Sequence, residues 1–493
     1  MASHSGQRVA LSACRAKRFG VASLGDRGMP LEAAQPVRFH RALGVRDATA
    51  LVAGSMIGSG IFIVPAQMTR ELGSAGWLLA VWALAGAMTV VAAALYGDLV
   101  VRHPHAGGQY VYLREAFGPL IGFLYGWALF LVIQTGTIAA VAVAFARFGA
   151  VLVPSLDGAM LMRGLSVERA VAITLVGTLT AANCRGVEVG KAIQNVFAVA
   201  KIAAVLALIT LCLSLGLSAD VVRENLAGFW MRRPSEPLPL AVAIGSAIVG
   251  ALFSADAWNN LTFAAEEVRA PERTIPRALV AGTALVIALY LAANVAYLAV
   301  LPAVGAADGA DPLARGIAHA ARDRVATAAM QTMLGQPGVI AMAVAIMVST
   351  FGCVNGLVLS GARVLYAMAR DGLFFAPAGR LARTGAPAVA LVLQGVWAAA
   401  LTLSGTYGDL LDYVIFAALL FYALTVAATL RDHSTARPVK RVLALAYIAT
   451  AGAVMIDLLI VKPRFTWPGL LIVLSGVPVY GWWTRRAGAR PGT

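Results

Sequence analysis

The chain has 493 residues, 60% of them hydrophobic and 13% charged, with a formal net charge of +15. Soluble chains carry about a quarter of their residues as charged side chains, so a soluble domain is excluded, and the apolar residues fall in runs near the ~20 that cross a bilayer. The basic excess sits in short segments between those runs rather than in an interleaved stripe, a membrane-topology pattern that argues against a nucleic-acid partner.

Residues 1–44 read as a basic, disordered cytoplasmic tail. Leu11-Ser12-Ala13-Cys14 imitates a lipoprotein cleavage box, but the apolar stretch before it is far too short for a signal segment. Met29 is an alternative start, which leaves translation of residues 1–28 open. Twelve spans are predicted, at about 47–68, 75–98, 119–152, 168–184, 192–217, 239–265, 276–302, 337–368, 387–404, 408–430, 442–461 and 466–484. An even count puts both termini on one side of the membrane. Lys and Arg are about twice as frequent on the side of the N-terminal tail, which predicts that both termini are cytoplasmic.

The first span contains Gly54-Ser-Met-Ile-Gly58-Ser59-Gly60. Two glycines flanking a serine weaken a helix. Backbone groups freed inside lipid cost several kcal/mol each unless protein or ligand meets them, so a break here implies a lined cavity. The N–H groups that start a second half-helix attract a carboxylate. A Gly54-xxx-Gly58 packing face is the competing explanation. Residues 100–117, with Pro104, Gly107, Gly108, Tyr110 and Tyr112, suit a re-entrant or interfacial turn. His103 and His105 in that turn read as loop residues.

Lys201 stands inside the fifth span and must find carbonyl or carboxylate partners or lose its proton, unless it snorkels to the nearer surface. The sixth span carries Phe253-Ser254-Ala255-Asp256-Ala257-Trp258-Asn259-Asn260. An Asp in a span marks function by default. Interruptions in spans one and six are what an inverted repeat of five helices requires. Residues 311–334 alternate charged and apolar positions and predict an amphipathic helix outside the membrane, a lid or a plain loop helix. The eighth span reads Ser349-Thr350-Phe351-Gly352-Cys353-Val354-Asn355-Gly356; its hydroxyls either reach Lys201 or mark small-residue packing. Cys14, Cys184, Cys212 and Cys353 show no metal-ligand spacing and read as small buried hydrophobes. No cofactor or metal is expected. The spans lack paired carboxylates, a His cluster or a nucleophile–base set, so no catalytic residue and no enzyme is expected.

These segments together resemble the L-type amino acid transporter family of the amino acid–polyamine–organocation superfamily. The resemblance rests on Ile57-Gly58-Ser59-Gly60-Ile61-Phe62, Trp258-Asn259 through Glu266-Glu267, and Pro271-Glu272-Arg273-x-x-Pro276. Asn183-Cys184, Gln194 with Lys201, Ser349 through Gly356, Arg437-Pro438-Val439-Lys440, and Ser475 through Tyr480 follow in order, so nearly everything after residue 44 is covered. It implies an all-α membrane protein with the leucine-transporter fold. Residues 45–217 and 218–430 are then the two inverted repeats, and 431–493 holds the last two helices and a short C-terminus.

The resemblance also implies a site. An L-amino acid substrate sets its carboxylate on the amides of Gly58, Ser59 and Gly60, and its amine on carbonyls of Met56, Phe253 and Asp256. Phe253 gates the site and Asn259 braces the second break. Lys201, with Ser349 and Thr350, stands where sodium-coupled relatives bind a cation, which implies sodium-independent exchange by alternating access. Two features depart from the family. Ala257 replaces a usual glycine, and residues 153–167 hold no cysteine for a disulfide-linked heavy subunit, so none is expected. A stand-alone permease of a bacterial inner membrane follows, for neutral amino acids; Asp256 either meets a substrate guanidinium, which adds cationic ones, or caps the broken helix. A proton-coupled symporter and a non-transporting membrane sensor are the alternatives.

Overall fold

The structure is a computed structural model that describes residues 41–488, except 42, 157, 163, 164, 236, 237, 404–406 and 432–437. The expected tail through residue 40, with Cys14 and Met29, lies outside the described residues, as does Arg437. The described chain is helical throughout but for a two-stranded hairpin, Met160–Met162 with Leu165–Ser166.

The helices run α1 Val45–Met56, α2 Gly60–Leu72, α3 Ala75–Arg102, α4 Gln109–Phe117, α5 Pro119–Ala128 and α6 Gln134–Leu152, with a π-turn at Leu129–Ile133 between the last two. Then come α7 Val167–Cys184, α8 Val187–Ser214, α9 Ala219–Ala227, α10 Leu240–Ser254, α11 Asn260–Phe263 and α12 Pro271–Val300. The remainder is α13 Pro312–Arg315, α14 Val325–Arg370, α15 Ala388–Leu401, α16 Tyr407–Leu430, α17 Pro438–Val461 and α18 Pro463–Gly488. Every expected span coincides with one of these helices or with a broken pair of them. Six described helices are long and apolar enough to cross a bilayer, seven with the bent pair α1–α2; three more stretches, 240–254, 388–401 and 414–430, are apolar but shorter.

Two expectations change. The segment 311–334 is not one amphipathic helix: it holds the single turn α13, a 3-10 turn at Ala321–Asp323 and the start of α14. Gly316 at φ 62°, then Arg322 at 54° and Asp323 at 61°, turn the chain out of helical geometry. The turn region 100–117 resolves into the last three residues of α3, six irregular residues and the nine-residue helix α4.

One end of the bundle gathers the start of α1 and the ends of α3, α11 and α14. There Leu43 pairs with the chain after α11, donating to Glu267 O and accepting from Arg269 N, both at 2.9 Å. Tyr110 donates to Asp371 at 2.7 Å, and burial pushes its phenol up, so it stays a donor. Arg114 pairs with the same carboxylate. His103 is half-buried, which pushes its imidazole down, in keeping with a loop role. At the opposite end Arg70, in the last turn of α2, donates to Asp323 at 2.6 Å and to Ala318 O at 2.7 Å.

Deep at the α1 end, Arg363 of α14 grips Glu267 with Nε at 2.8 Å from Oε1 and Nη2 at 3.2 Å from Oε2; the side chains are 1% and 2% exposed. Removing one member leaves the other charged and unpaired, a cost of about 3–5 kcal/mol. Arg363→Met is therefore expected to lower the thermal unfolding midpoint of the detergent-solubilised protein sharply, and Arg363→Met with Glu267→Gln to recover most of it. An Arg363→Met midpoint equal to the parent's would show that the pair does not hold this end together.

Candidate functional site

α1 stops at Met56 because Ile57 turns to ψ 94°, and α2 restarts at Gly60 with its axis bent by 42°. The break leaves the last carbonyls of α1 without helical partners. Side chains from three other helices meet them one by one. Lys201 Nζ, fully buried on α8, donates to Gly54 O at 2.6 Å and Ile57 O at 2.8 Å. Cys353 Sγ donates to Ser55 O at 3.0 Å. The Tyr290 hydroxyl on α12 lies 3.0 Å from Met56 O. Ser349 Oγ on α14 lies 3.2 Å from Ile57 O and 3.1 Å from Gly58 O. A lysine here is favoured twice, by hydrogen bonding and by the negative end of the α1 dipole.

Gly58, Ser59 and Gly60 stand at the other side of the gap, where the first-turn N–H groups of α2 have no carbonyl four residues back. Small size is required at Gly60 and favoured at Gly58. A Cβ on Gly58 would lie 3.1 Å from Cys353 Sγ, and one on Gly60 would collide with Ser254.

The second break follows Ser254. α10 ends, residues 255–259 are irregular, and α11 restarts at Asn260. Tyr290 reaches this break too, 3.1 Å from Ser254 O, so one hydroxyl sits between both interrupted helices. Ala257 adopts φ 66°, the left-handed region that L side chains avoid. The second break is thus present with alanine in place of the usual glycine, held against the preference of an alanine. Asp256, 7% exposed, accepts the Tyr422 hydroxyl at 2.5 Å on Oδ1. Asn259 donates to Gln109 Oε1 at 2.9 Å, and Gln109 Nε2 donates to Thr425 at 3.0 Å, which ties the break to α4 and α16. Trp258 is packed between Tyr96 and Tyr422, ring centroids 4.7 and 5.5 Å away.

The structure therefore brings Met56, Gly58, Ser59, Gly60, Phe253, Asp256 and Asn259 to one pair of facing breaks, with Lys201 and Ser349 behind the first. Phe253 is buried, and its carbonyl accepts Asp256 N at 3.2 Å. Thr350 is placed differently: its hydroxyl bonds Ile346 O and Met347 O of its own helix, at 2.8 and 3.1 Å. Beside Asp256 a pocket of about 10 Å³ is open, lined among others by Tyr125, Asn259, Asn260 and Tyr422. Among the described residues no group of His, Cys, Asp or Glu is placed to hold a metal ion. The sequence did not reveal Tyr290, Tyr422 or Gln109. Each is a single polar group in an otherwise ordinary segment, and nothing local marks its partner.

Residues 43–475 match the amino acid permease family. The chain belongs to that family. Among curated proteins it is 30% identical to the human large neutral amino acids transporter small subunit 2, over 90% of this chain and 80% of that one. It is 29% identical to the mouse Asc-type amino acid transporter 1, over 91% and 82%. It is 28% identical to the human b(0,+)-type amino acid transporter 1, over 90% and 87%. These relatives are amino acid transporters, so this permease is a multi-pass membrane protein of the amino acid–polyamine–organocation superfamily, and amino acid transport is its activity class.

The left-handed Ala257 gives a direct check. Ala257→Gly relieves a strain of about 1–2 kcal/mol against a chain-entropy cost of roughly 0.5–1 kcal/mol, so the variant should unfold at the parent's temperature or slightly above. Ala257→Val, whose branched side chain tolerates positive φ worst, should unfold well below it. The reverse order would mean that the second break does not have this backbone.

Proposed function

We propose that this permease exchanges L-amino acids across the cell membrane by alternating access, without sodium. The observation that carries the reading is Lys201. Its ammonium occupies the carbonyls of Gly54 and Ile57 at the broken end of α1, where a positive charge is favoured and a mobile cation would otherwise be needed. Sodium then has no place in the cycle, and one bound amino acid is traded for another.

In this reading the substrate carboxylate rests on the N–H groups of Gly58, Ser59 and Gly60, and the amine on carbonyls of Met56, Phe253 and Asp256. Phe253 closes over the substrate, and Asn259, anchored on Gln109, braces the second break. Twelve spans form two five-helix inverted repeats, 45–217 and 218–430, and two further helices. Spans one, two, six and seven rock against three, four, eight and nine. The protein works in a bacterial inner membrane with both termini inside. It has no disulfide-linked heavy subunit, since residues 153–167 offer no cysteine for the bond.

The side chain accepted is neutral. The Asp256 carboxylate is engaged by Tyr422, which favours its bracing the bend over its meeting a guanidinium. Arginine or lysine would have to displace that hydroxyl.

Counterflow in liposomes tests the proposal. Vesicles are loaded with alanine, serine, leucine or arginine, and uptake of the labelled amino acid is followed with and without sodium and a pH gradient. The expected result is uptake that requires internal amino acid, ignores sodium and survives collapse of the proton gradient. Uptake that needs no internal amino acid and stops with the gradient would establish proton symport instead. No flux of any amino acid would leave a membrane sensor as the better reading. Lys201→Ala should cut counterflow at least about tenfold, the factor that ~1.4 kcal/mol represents. Asp256→Asn should leave neutral exchange largely intact and arginine exchange absent. Arginine uptake in the parent that Asp256→Asn abolishes would overturn the neutral assignment.

A further inference from the structure

The pocket of about 10 Å³ beside Asp256 lies between the second break and the π-turn of the third span. Its volume is close to the smallest space that admits one water molecule, about 10–15 Å³ in the same measure. Leu129 and Ile133, the two ends of the π-turn, form one side of it, and Asp256, Asn259 and Asn260 form another. A π-turn is rare and recurs at functional sites.

Two residues of this wall carry orphaned groups. The Tyr125 hydroxyl of α5 and Asn260 Nδ2 of α11 are buried, and neither has a hydrogen-bond partner among the described residues. The residues are 1% and 2% exposed, so bulk solvent does not meet these groups either. A buried polar group left unmet carries its full desolvation penalty. Beside them stand acceptors. Asp256 Oδ1 takes the Tyr422 hydrogen at 2.5 Å. The same hydroxyl lies 3.4 Å from Asn259 Oδ1, and its one hydrogen is committed to the nearer carboxylate, so Asn259 Oδ1 keeps room for a donor.

The wall thus offers an N–H that needs an acceptor, two side-chain oxygens that accept, and a phenol that can do either. A metal or ammonium cation has nothing with which to accept from Asn260. An anion is repelled by the Asp256 carboxylate. One molecule that both donates and accepts, and that fits about 10 Å³, answers every demand. We infer that a single ordered water occupies this pocket as a fixed part of the fold, bonded to Tyr125 Oη, to Asn260 Nδ2 and to the acceptors of the second break. Buried waters make about three hydrogen bonds, the number this wall supplies. The water joins α5, just before the π-turn, to α11, where the broken span restarts. Solvent is then one of the braces of the second break, alongside Tyr422 and Gln109. The inference stands on the pocket and its polar wall, and is independent of which solute the protein carries.

Tyr125→Phe tests this by the sign of its effect. With water in place the variant gives up a hydrogen bond, and the detergent-solubilised protein should unfold below the parent's temperature. In a dry pocket the same change deletes an unmet hydroxyl, so an equal or higher midpoint overturns the inference. Electron cryo-microscopy of the full chain in lipid nanodiscs, at a resolution that shows ordered water, checks the parent without any variant. Density within hydrogen-bond distance of both Tyr125 Oη and Asn260 Nδ2 is expected, and a pocket without density overturns the site whatever Tyr125→Phe does. Sodium, potassium and ammonium chloride separate water from a cation. Each should leave the parent's midpoint where choline chloride at equal strength leaves it. A rise specific to one of them that Tyr125→Phe abolishes would replace the water by that cation.

Discussion

Five consecutive backbone carbonyls, from Gly54 to Gly58, set the terms for the rest of this molecule. A helix that ends in the middle of an apolar bundle strands its last carbonyls, and each stranded group costs free energy comparable to a lost hydrogen bond or more. All five have a side-chain donor within hydrogen-bond distance: Lys201, Cys353, Tyr290 and Ser349, drawn from α8, α14 and α12. The break is therefore a satisfied structure rather than a defect. The helices that satisfy it must stay in register with α1 for it to persist. A break in the middle of the bundle is tolerated because each of these carbonyls has such a donor.

The same logic couples the two interruptions. Tyr290 sits between Met56 O and Ser254 O, so a shift of either helix end changes the partner available to the other. Gly60 against Ser254 leaves no slack between them, since even a methyl group would not fit. The second break is held from its far side by Asp256 on Tyr422 and by Asn259 through Gln109 to Thr425. Those contacts reach α16 and the short helix α4, elements outside the broken pair. A frame of side-chain contacts thus grips two weak points that touch one another.

How much of this the sequence disclosed depends on whether the physics was local. The helices were legible because each lies in an apolar run, and the first break because glycine weakens helices wherever it stands. Lys201 was legible as an expensive charge in lipid, though its partners were not: carbonyls carry no sequence signature, and Gly54 O becomes available only when the chain bends. Thr350 and Ser349 are adjacent and chemically alike, yet a rotation of about 100° per residue turns one to the break and the other to its own helix. The region 311–334 kept a helical pattern of charges but not a helix, because Arg322 and Asp323 take a left-handed turn stabilised by Arg70, some 250 residues away in the chain. Ala257 shows the converse. It replaces a usual glycine at a positive φ, and packing of Trp258 between Tyr96 and Tyr422 holds the bend regardless.

The two ends of the bundle are fastened unequally. At one, Arg70 and Asp323 are 31% and 40% exposed, the kind of ion pair that contributes about 0–1 kcal/mol. At the other, Arg363 and Glu267 are sealed from solvent, and parting them without admitting water exposes two bare charges to a low-dielectric interior. Motion that lifts α2 from the turn at 321–323 is therefore cheap, whereas motion that separates α14 from the chain after α11 requires solvent to enter with it. A hydrated path at the α1 end lowers that cost by replacing each ion's partner with water. Opening and wetting are accordingly one event at that end and two separable events at the other.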